Sequence, residues 1–138
     1  MKTIFIAALA GLSMAGSAAA QTAPAEAPTM PLAQGVTAAP DCGGVVLAHP
    51  AVCLQTTLVN LQPVFDAYAD FLEAKGWISV STIENGLLLA RPRDGGGCDG
   101  LQYIAFTAPD QARTPTAPAY LAFAPVPGDI CPTAAPAQ

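Results

Sequence analysis

The sequence predicts an α+β fold, in which one amphipathic helix packs on a four-stranded antiparallel meander and two disulfides hold the domain together. Three observations lead to this prediction. One stretch has apolar residues at helical spacing, four later stretches have the composition of strands, and four cysteines are spread along the chain. Because the connections between successive strands are short, an antiparallel sheet covered by the helix on one face is expected.

The helix is predicted in the stretch NLQPVFDAYADFLEAKGW. Asn60 stands at the N-cap position, Pro63 falls in the first turn, and Gly76 ends the helix. The apolar residues recur every three or four positions and form one stripe, made of Leu61, Val64, Phe65, Tyr68, Phe71 and Leu72. The opposite face carries the acidic residues Asp66, Asp70 and Glu73. We interpret them as a solvated face, with an acidic patch for a basic partner as the alternative.

The four strands are predicted in the stretches WISVST, LLLAR, LQYIAFT and AYLAFAPV. Asn85-Gly86 between the first two is a hairpin signal, but it leaves the register open. A two-residue turn places Arg91 on the side of Ile78, Val80 and Leu89. A three-residue loop with a bulge places Arg91 with Ser79 and Ser81. The stretch GVVLA, residues 44–48, is a candidate for a short additional edge strand.

The N-terminal 20 residues have the anatomy of a signal peptide. Lys2 is followed by a short apolar run, and the alanine triplet that ends at Ala20 is suited to cleavage. The apolar run is too short to span a membrane, and no other stretch is long and apolar enough. We therefore expect a periplasmic or secreted protein. Residues 21–40 are predicted to be an Ala/Pro-rich disordered linker, residues 41–131 a single domain, and residues 132–138 a disordered tail.

An even number of cysteines in an exported chain predicts two disulfides. Four cysteines allow three pairings, and we favour Cys42 with Cys53 and Cys98 with Cys131 because each bond closes a local loop. The spacing contains no C-x-x-C pair and the chain has one histidine. These facts argue against a zinc site and a redox-active thiol pair, and no metal or other cofactor is expected.

The charge of the chain disfavours two classes of partner. The net charge is −5, and loss of Lys2 with the signal peptide leaves four basic and ten acidic side chains, a net charge of −6. Such a chain is not expected to bind nucleic acid or an anionic membrane surface. A basic partner is compatible with this charge.

The stretch RPRDGGGCDG, residues 91–100, is the principal candidate site. Arg91, Arg93 and the glycine backbone have the donors of an anion cradle. The favoured interpretation is a loop pinned by the disulfide of Cys98, with the arginines paired to nearby aspartates. Trp77 is a candidate binding anchor, although a tryptophan at the start of a strand more often packs in the core.

These observations favour a non-enzymatic module that binds an envelope or secreted protein, or another ligand. An inhibitor of an extracellular hydrolase is one concrete version, because a disulfide-fixed loop is preorganised. One alternative is a small hydrolase or transferase that uses His49, the only histidine, although no catalytic motif surrounds it. Another alternative is a structural envelope component. The partner and the oligomeric state stay open.

Overall fold

The computed structural model describes residues 26–133, in which one α-helix lies on a six-stranded antiparallel sheet. The α+β class is therefore confirmed, and the predicted count of four strands is wrong. In chain order the elements are β1 (Thr37–Ala38), β2 (Val52–Thr57), α1 (Leu61–Ala74), β3 (Ile78–Ile83), β4 (Gly86–Pro92), β5 (Cys98–Phe106) and β6 (Pro118–Val126). The strand order in the sheet is β1-β2-β6-β5-β4-β3.

The predicted meander is formed by β3, β4, β5 and β6, and the two additional strands precede the helix. β2 pairs along its whole length with β6, and β1 adds two residues at the outer side of β2. The candidate edge strand over residues 44–48 is not a strand. A 3-10 turn occupies Cys42–Gly44, and Gly43 and Gly44 have positive φ angles of 65° and 78°, which turn the chain away from an extended path.

The helix has the predicted bounds but lacks the predicted cap. It begins at Leu61, directly after a 3-10 turn over Leu58–Asn60, and the side chain of Asn60 makes no capping hydrogen bond. Pro63 lies in the first turn, where its missing N–H leaves no intrahelical bond unmade. At the other end Gly76 takes a φ of 86°, which stops the helix.

Tyr103 on β5 connects the helix to the sheet. Its ring is stacked between Phe65 of α1 and Phe123 of β6, with centroids 4.3 Å and 4.6 Å away. Its hydroxyl donates a 3.0 Å hydrogen bond to the carbonyl oxygen of Phe65. Tyr68 approaches Phe123 edge-on at 5.7 Å. Burial raises the pKa of Tyr103 far above the ordinary tyrosine value, and the nearby Tyr68 adds to the effect. The phenol therefore stays protonated and keeps its hydrogen bond.

The favoured disulfide pairing is confirmed. Cys42 is bonded to Cys53, and Cys98 is bonded to Cys131. The first bond holds the segment before β2 against the sheet face that α1 leaves free, where Cys42 and Cys53 are buried with Ala39, Tyr120 and Ala122. The second bond holds the chain after β6 against the start of β5. Each face of the sheet therefore has its own apolar cluster.

The structure differs from the predicted linker over residues 26–40. Met30 and Val36 are buried in the main core, and β1 pairs with β2. The hydroxyl of Tyr68 donates to the carbonyl oxygen of Pro31 at 2.6 Å and accepts the N–H of Ala33 at 3.2 Å. The sequence does not show that this segment packs on the domain, because alanine and proline dominate it. Only two isolated apolar residues and backbone hydrogen bonds attach it to the core. The predicted signal peptide, residues 21–25 and residues 134–138 lie outside the described residues.

The hairpin between β3 and β4 has a register that neither predicted loop gives. The turn residues are Glu84 and Asn85, and Ile83 pairs with Gly86. Asn85 adopts a φ of 57°, which asparagine tolerates better than most residues. The register then shifts between Ser79 and Ser81, so Val80 forms a bulge.

We expect Tyr103→Phe to lower the free energy of unfolding by about 1 kcal/mol, because it removes one buried hydrogen bond and keeps the ring stack. Urea unfolding followed by circular dichroism measures the change. Tyr120→Phe is the matched control, since the Tyr120 hydroxyl makes no hydrogen bond within residues 26–133 and its loss is expected to change stability little. Equal stabilities of the two variants would contradict the role assigned to the Tyr103 hydroxyl.

Candidate functional site

The stretch over residues 91–100 contains the end of β4, the start of β5 and a loop of residues 93–97 between them, so the loop is shorter than the sequence suggests. This stretch is held from several directions. Arg91 and Arg93 both form ion pairs with Asp99, at 3.4 Å and 3.3 Å. The N–H of Arg93 donates to the carbonyl oxygen of Gly97 at 2.9 Å, and the N–H of Gly96 donates back to the carbonyl oxygen of Arg93 at 3.1 Å. The structure therefore brings the two predicted arginines together, with a carboxylate between them.

The glycines of this loop serve its tight turn. Gly96 and Gly97 have φ angles of 93° and 75°, which other residues rarely adopt. A Cβ atom on Gly97 would lie 2.5 Å from a terminal guanidinium nitrogen of Arg93 and 3.0 Å from a carboxylate oxygen of Asp129. Both groups thus pack directly against the backbone of Gly97, and the loop has the architecture of a closed turn.

Asp129 joins the chain after β6 to this loop. Its carboxylate accepts the N–H of Cys98 at 2.9 Å and the N–H of Cys131 at 3.2 Å. These two hydrogen bonds hold the pKa of the Asp129 carboxyl below its ordinary value, and Arg93 contributes to the same effect. The ligand atoms of Cys98, Asp129 and Cys131 lie within 4.8 Å of one another. Because the two sulfurs are bonded to each other, they are not the thiolates that bind a metal ion.

Trp77 is buried in the main core and is not an exposed binding anchor, since only 3% of its surface is accessible. The guanidinium of Arg91 lies over its ring, 4.7 Å from the centroid, a cation–π arrangement. Arg91 thus occupies the rim of the helix-covered face, with Leu89 next to it on the same side of β4. The indole N–H of Trp77 is buried and has no hydrogen-bond acceptor among residues 26–133.

A groove that the sequence does not reveal runs between α1 and β3; we call it the β3 groove. One part is a cavity of about 340 Å³, lined by Ala69, Asp70, Glu73, Trp77, Ile78, Ser79, Leu87 and Leu89. A second cavity of about 480 Å³ shares Leu87 with the first and reaches Leu61 and Phe65 on the helix and Thr82 and Ile83 on β3. The floor of the groove is apolar, and the acidic side chains Asp70 and Glu73 line its first cavity.

The groove is open because the helix lies toward the other half of the sheet. α1 contacts β2 and β6, and its Phe65 ring is stacked on Tyr103 of β5. β3 is the outermost strand beyond β4, so no element of the described chain covers its outer edge. Ile78, Ser79, Ser81 and Thr82 are exposed there.

The acidic side chains of the groove are not neutralised within the described chain. Asp70 and Glu73 are exposed, and neither forms an ion pair with any of residues 26–133. Asp66, one turn earlier on the helix, accepts a 2.9 Å hydrogen bond from Gln62. The side of the groove formed by α1 is thus negative, whereas the stretch ISVSTI of β3 has no charged residue.

His49 is exposed and lines neither cavity of this groove. It lines a cavity of about 590 Å³ together with Glu26, Val52 and three prolines, Pro50, Pro125 and Pro127. Within residues 26–133, no hydrogen bond involves its side chain and no carboxylate oxygen lies within 4.0 Å of its ring nitrogens. The described chain thus gives His49 neither the orienting carboxylate nor the nucleophile that general base catalysis requires.

Comparisons with known proteins give no functional assignment: no family model, no curated protein and no solved structure matches this chain. Among the described residues, the helix is too short and too polar to cross a membrane. The arrangement itself therefore has to support any proposal. Within residues 26–133 it offers a loop tied by hydrogen bonds and ion pairs at one end, and an open groove with acidic side chains and an unpaired strand edge at one side.

The titration of Asp129 tests whether its hydrogen bonds with Cys98 and Cys131 hold the chain after β6 against the start of β5. Because its folded pKa lies below the unfolded value, this group stabilises the fold above the ordinary aspartate pKa, and the stabilisation is lost as the pH falls through the folded pKa. We expect Asp129→Asn to destabilise the protein at neutral pH and to be closer to the parent protein at strongly acidic pH.

Urea unfolding of both proteins between pH 2 and 6 measures this difference, and the carboxyl carbon shift of Asp129 gives its pKa directly. The same shift in the urea-unfolded chain is the control and is expected to titrate at the ordinary value. A constant stability difference over the whole pH range would contradict the hydrogen bonds from Cys98 and Cys131.

Proposed function

We propose that this chain is an exported binding module without catalytic activity, and that it recognises a protein partner at the β3 groove and the outer edge of β3. The observation that carries the proposal is the free edge of β3 beside an open, partly apolar groove. An edge strand presents unpaired backbone donors and acceptors, and an extended partner segment adds to it by main-chain hydrogen bonds. Neighbouring cavities then supply side-chain specificity.

The composition of β3 favours such pairing. Exposed edge strands are usually protected by charged residues, proline or short length. β3 has six residues and contains neither a charged residue nor proline, whereas β1 at the opposite edge has two residues. The bulge at Val80 is a partial protection, and it leaves the three residues from Ser81 to Ile83 in regular pairing with β4.

The location of the protein is part of the proposal. The signal-peptide anatomy of the first 20 residues supports export, and two disulfides in a small domain are typical of oxidising compartments. The loop of residues 93–97, held by the disulfide of Cys98, supports a more specific version of this function, an inhibitor of a secreted hydrolase. A loop that is already fixed loses little conformational freedom on binding. The partner of the β3 groove does not depend on that version.

The two alternative functions have less support. An enzyme that uses His49 would need a carboxylate or nucleophile beside the ring, and residues 26–133 bring none within hydrogen-bonding distance. A self-associating structural component would also use the free edge of β3. That arrangement places the unneutralised carboxylates of two copies near each other, which like-charge repulsion disfavours.

Thr82→Pro is expected to abolish partner binding and to leave the fold intact. The two-residue turn closes at Ile83 and Gly86, so the next pair, Thr82 and Leu87, is of the type whose backbone groups point away from each other. Proline at residue 82 therefore removes an outward N–H and no bond to β4. Crosslinking capture from envelope extract, with circular dichroism as the folding check, measures the outcome.

Thr82→Val is the matched control for this experiment. It keeps the backbone N–H and a β-branched side chain, so capture of the same partner is expected to persist. If Thr82→Pro folds and captures that partner as well as the parent chain does, the β3 edge is not the binding surface.

Mass spectrometry of the exported protein under non-reducing conditions tests the proposed location. We expect a chain that starts near Gln21, with Cys42 bonded to Cys53 and Cys98 bonded to Cys131. A chain that retains residues 1–20 and stays with the cytoplasmic fraction would contradict export. Detection of the bond between Cys98 and Cys131 would also show that a disulfide holds the β4–β5 loop in solution.

A further inference from the structure

The geometry of the β3 groove points to one kind of partner: we infer that an extended, basic segment of another protein binds there as an additional strand beside β3. This inference rests on the proposed function and specifies the chemistry of the partner. It uses two independent features of the groove. They are the charge on its helical side and the uncharged edge on its other side.

The charge on the helical side selects basic side chains. Asp70 and Glu73 line the groove, are exposed, and have no basic partner within residues 26–133. The one lysine nearby on the helix, Lys75, lies over the ring of Phe71 at 5.6 Å. A lysine or arginine of a bound segment would therefore meet carboxylates that residues 26–133 do not neutralise.

The spacing of these carboxylates suits an extended chain. Residues three apart on a helix have Cβ atoms about 5–6 Å apart. Side chains on one face of a strand recur every two residues, at about 6.6–6.8 Å. Two basic residues in alternate positions of a strand therefore match Asp70 and Glu73 in separation. The residues between them point to the opposite face of the added strand and carry no charge requirement.

The strand edge and the groove are continuous. Ile78 and Ser79 belong to β3 and also line the cavity that contains Asp70 and Glu73. A segment paired with β3 lies about 4.8 Å further out, within the reach of a long basic side chain that extends back to the helix. The residues between the basic ones face the other side of the sheet with Ile78, which pairs with Ala90 and is 44% exposed, and apolar residues there would cover it.

A second copy of this chain fits the groove less well than a basic partner. Pairing of two β3 edges would bring four carboxylates, Asp70 and Glu73 of each copy, to one interface between exported chains that, without Lys2, each carry four basic and ten acidic side chains, a net charge of −6. Like charges across an interface reduce affinity. With a basic segment the electrostatic contribution to binding becomes favourable. The occupant is therefore a different protein.

The test uses three synthetic peptides of nine residues with blocked ends, in which valine alternates with lysine, threonine or glutamate. Binding is followed by the amide shifts of β3 in NMR titrations at low salt. We expect the lysine peptide to shift the amides of residues 78–83 and to bind at least about tenfold more tightly than the threonine peptide. The glutamate peptide is expected not to bind. Added salt should weaken the lysine peptide most, because it screens charge pairs.

A charge variant identifies the carboxylates responsible. The double variant Asp70→Asn with Glu73→Gln is expected to reduce affinity for the lysine peptide about 3- to 10-fold and to leave the threonine peptide unchanged. The matched control, Asp94→Asn with Asp110→Asn, removes the same charge from exposed residues outside the cavity linings and is expected to change neither affinity.

The outcomes separate this inference from the proposed function. Equal binding of the lysine and threonine peptides at β3 would overturn the basic partner and leave the binding edge in place. A dimer in sedimentation velocity that Thr82→Pro dissociates would also overturn it, since the occupant would then be a second copy. If no peptide shifts β3, the inference fails, and the capture experiment with Thr82→Pro decides the proposed function separately.

Discussion

The stack of Phe65, Tyr103 and Phe123 is the interaction on which the rest of this structure depends. It joins the only helix of the described chain to the two central strands β5 and β6, and the Tyr103 hydroxyl fixes the helix by donating to the carbonyl oxygen of Phe65. Because an aromatic stack is directional, the helix is held over one half of the sheet. The other half, β3 and β4, keeps an incomplete cover. The core contact and the open groove are therefore two consequences of one placement.

Features of this fold that have a local signal could be predicted from the sequence, and the pairing of strands that lie far apart in the chain could not. The helix bounds, the meander and the pairing of Cys42 with Cys53 follow from signals within a few residues. β2 was missed because its partner β6 lies more than 60 residues later, and its sequence has no turn signal that links the two. The packing of residues 26–40 was missed because Met30 and Val36 attach an otherwise uninformative Ala/Pro stretch.

The candidate site shows the same division. Arg91, Arg93 and Trp77 were singled out from composition, and the structure brings them together through Asp99 and the cation–π contact. Their neighbours show that two of them are ion-paired with Asp99 and the third is buried. The β3 groove was not predicted, since its existence depends on where the helix lies across the sheet. Its parts were visible as an acidic helix face and an uncharged strand, but the sequence does not show that they adjoin.

An uncharged strand edge exposes a protein to unintended strand pairing and aggregation. Its presence in β3 therefore favours a role for this edge in binding. Other parts of the domain are held by specific interactions. The two disulfides hold the segment on the second sheet face and the β4–β5 loop, and the carboxylate of Asp129 accepts hydrogen bonds from two backbone N–H groups. β1 shields β2 with only two residues. One lysine in ISVSTI would protect β3 and also neutralise Asp70 or Glu73. Its absence leaves both the edge and the carboxylates without a partner in the part of the chain that the structure describes, and one basic, extended segment would pair with both.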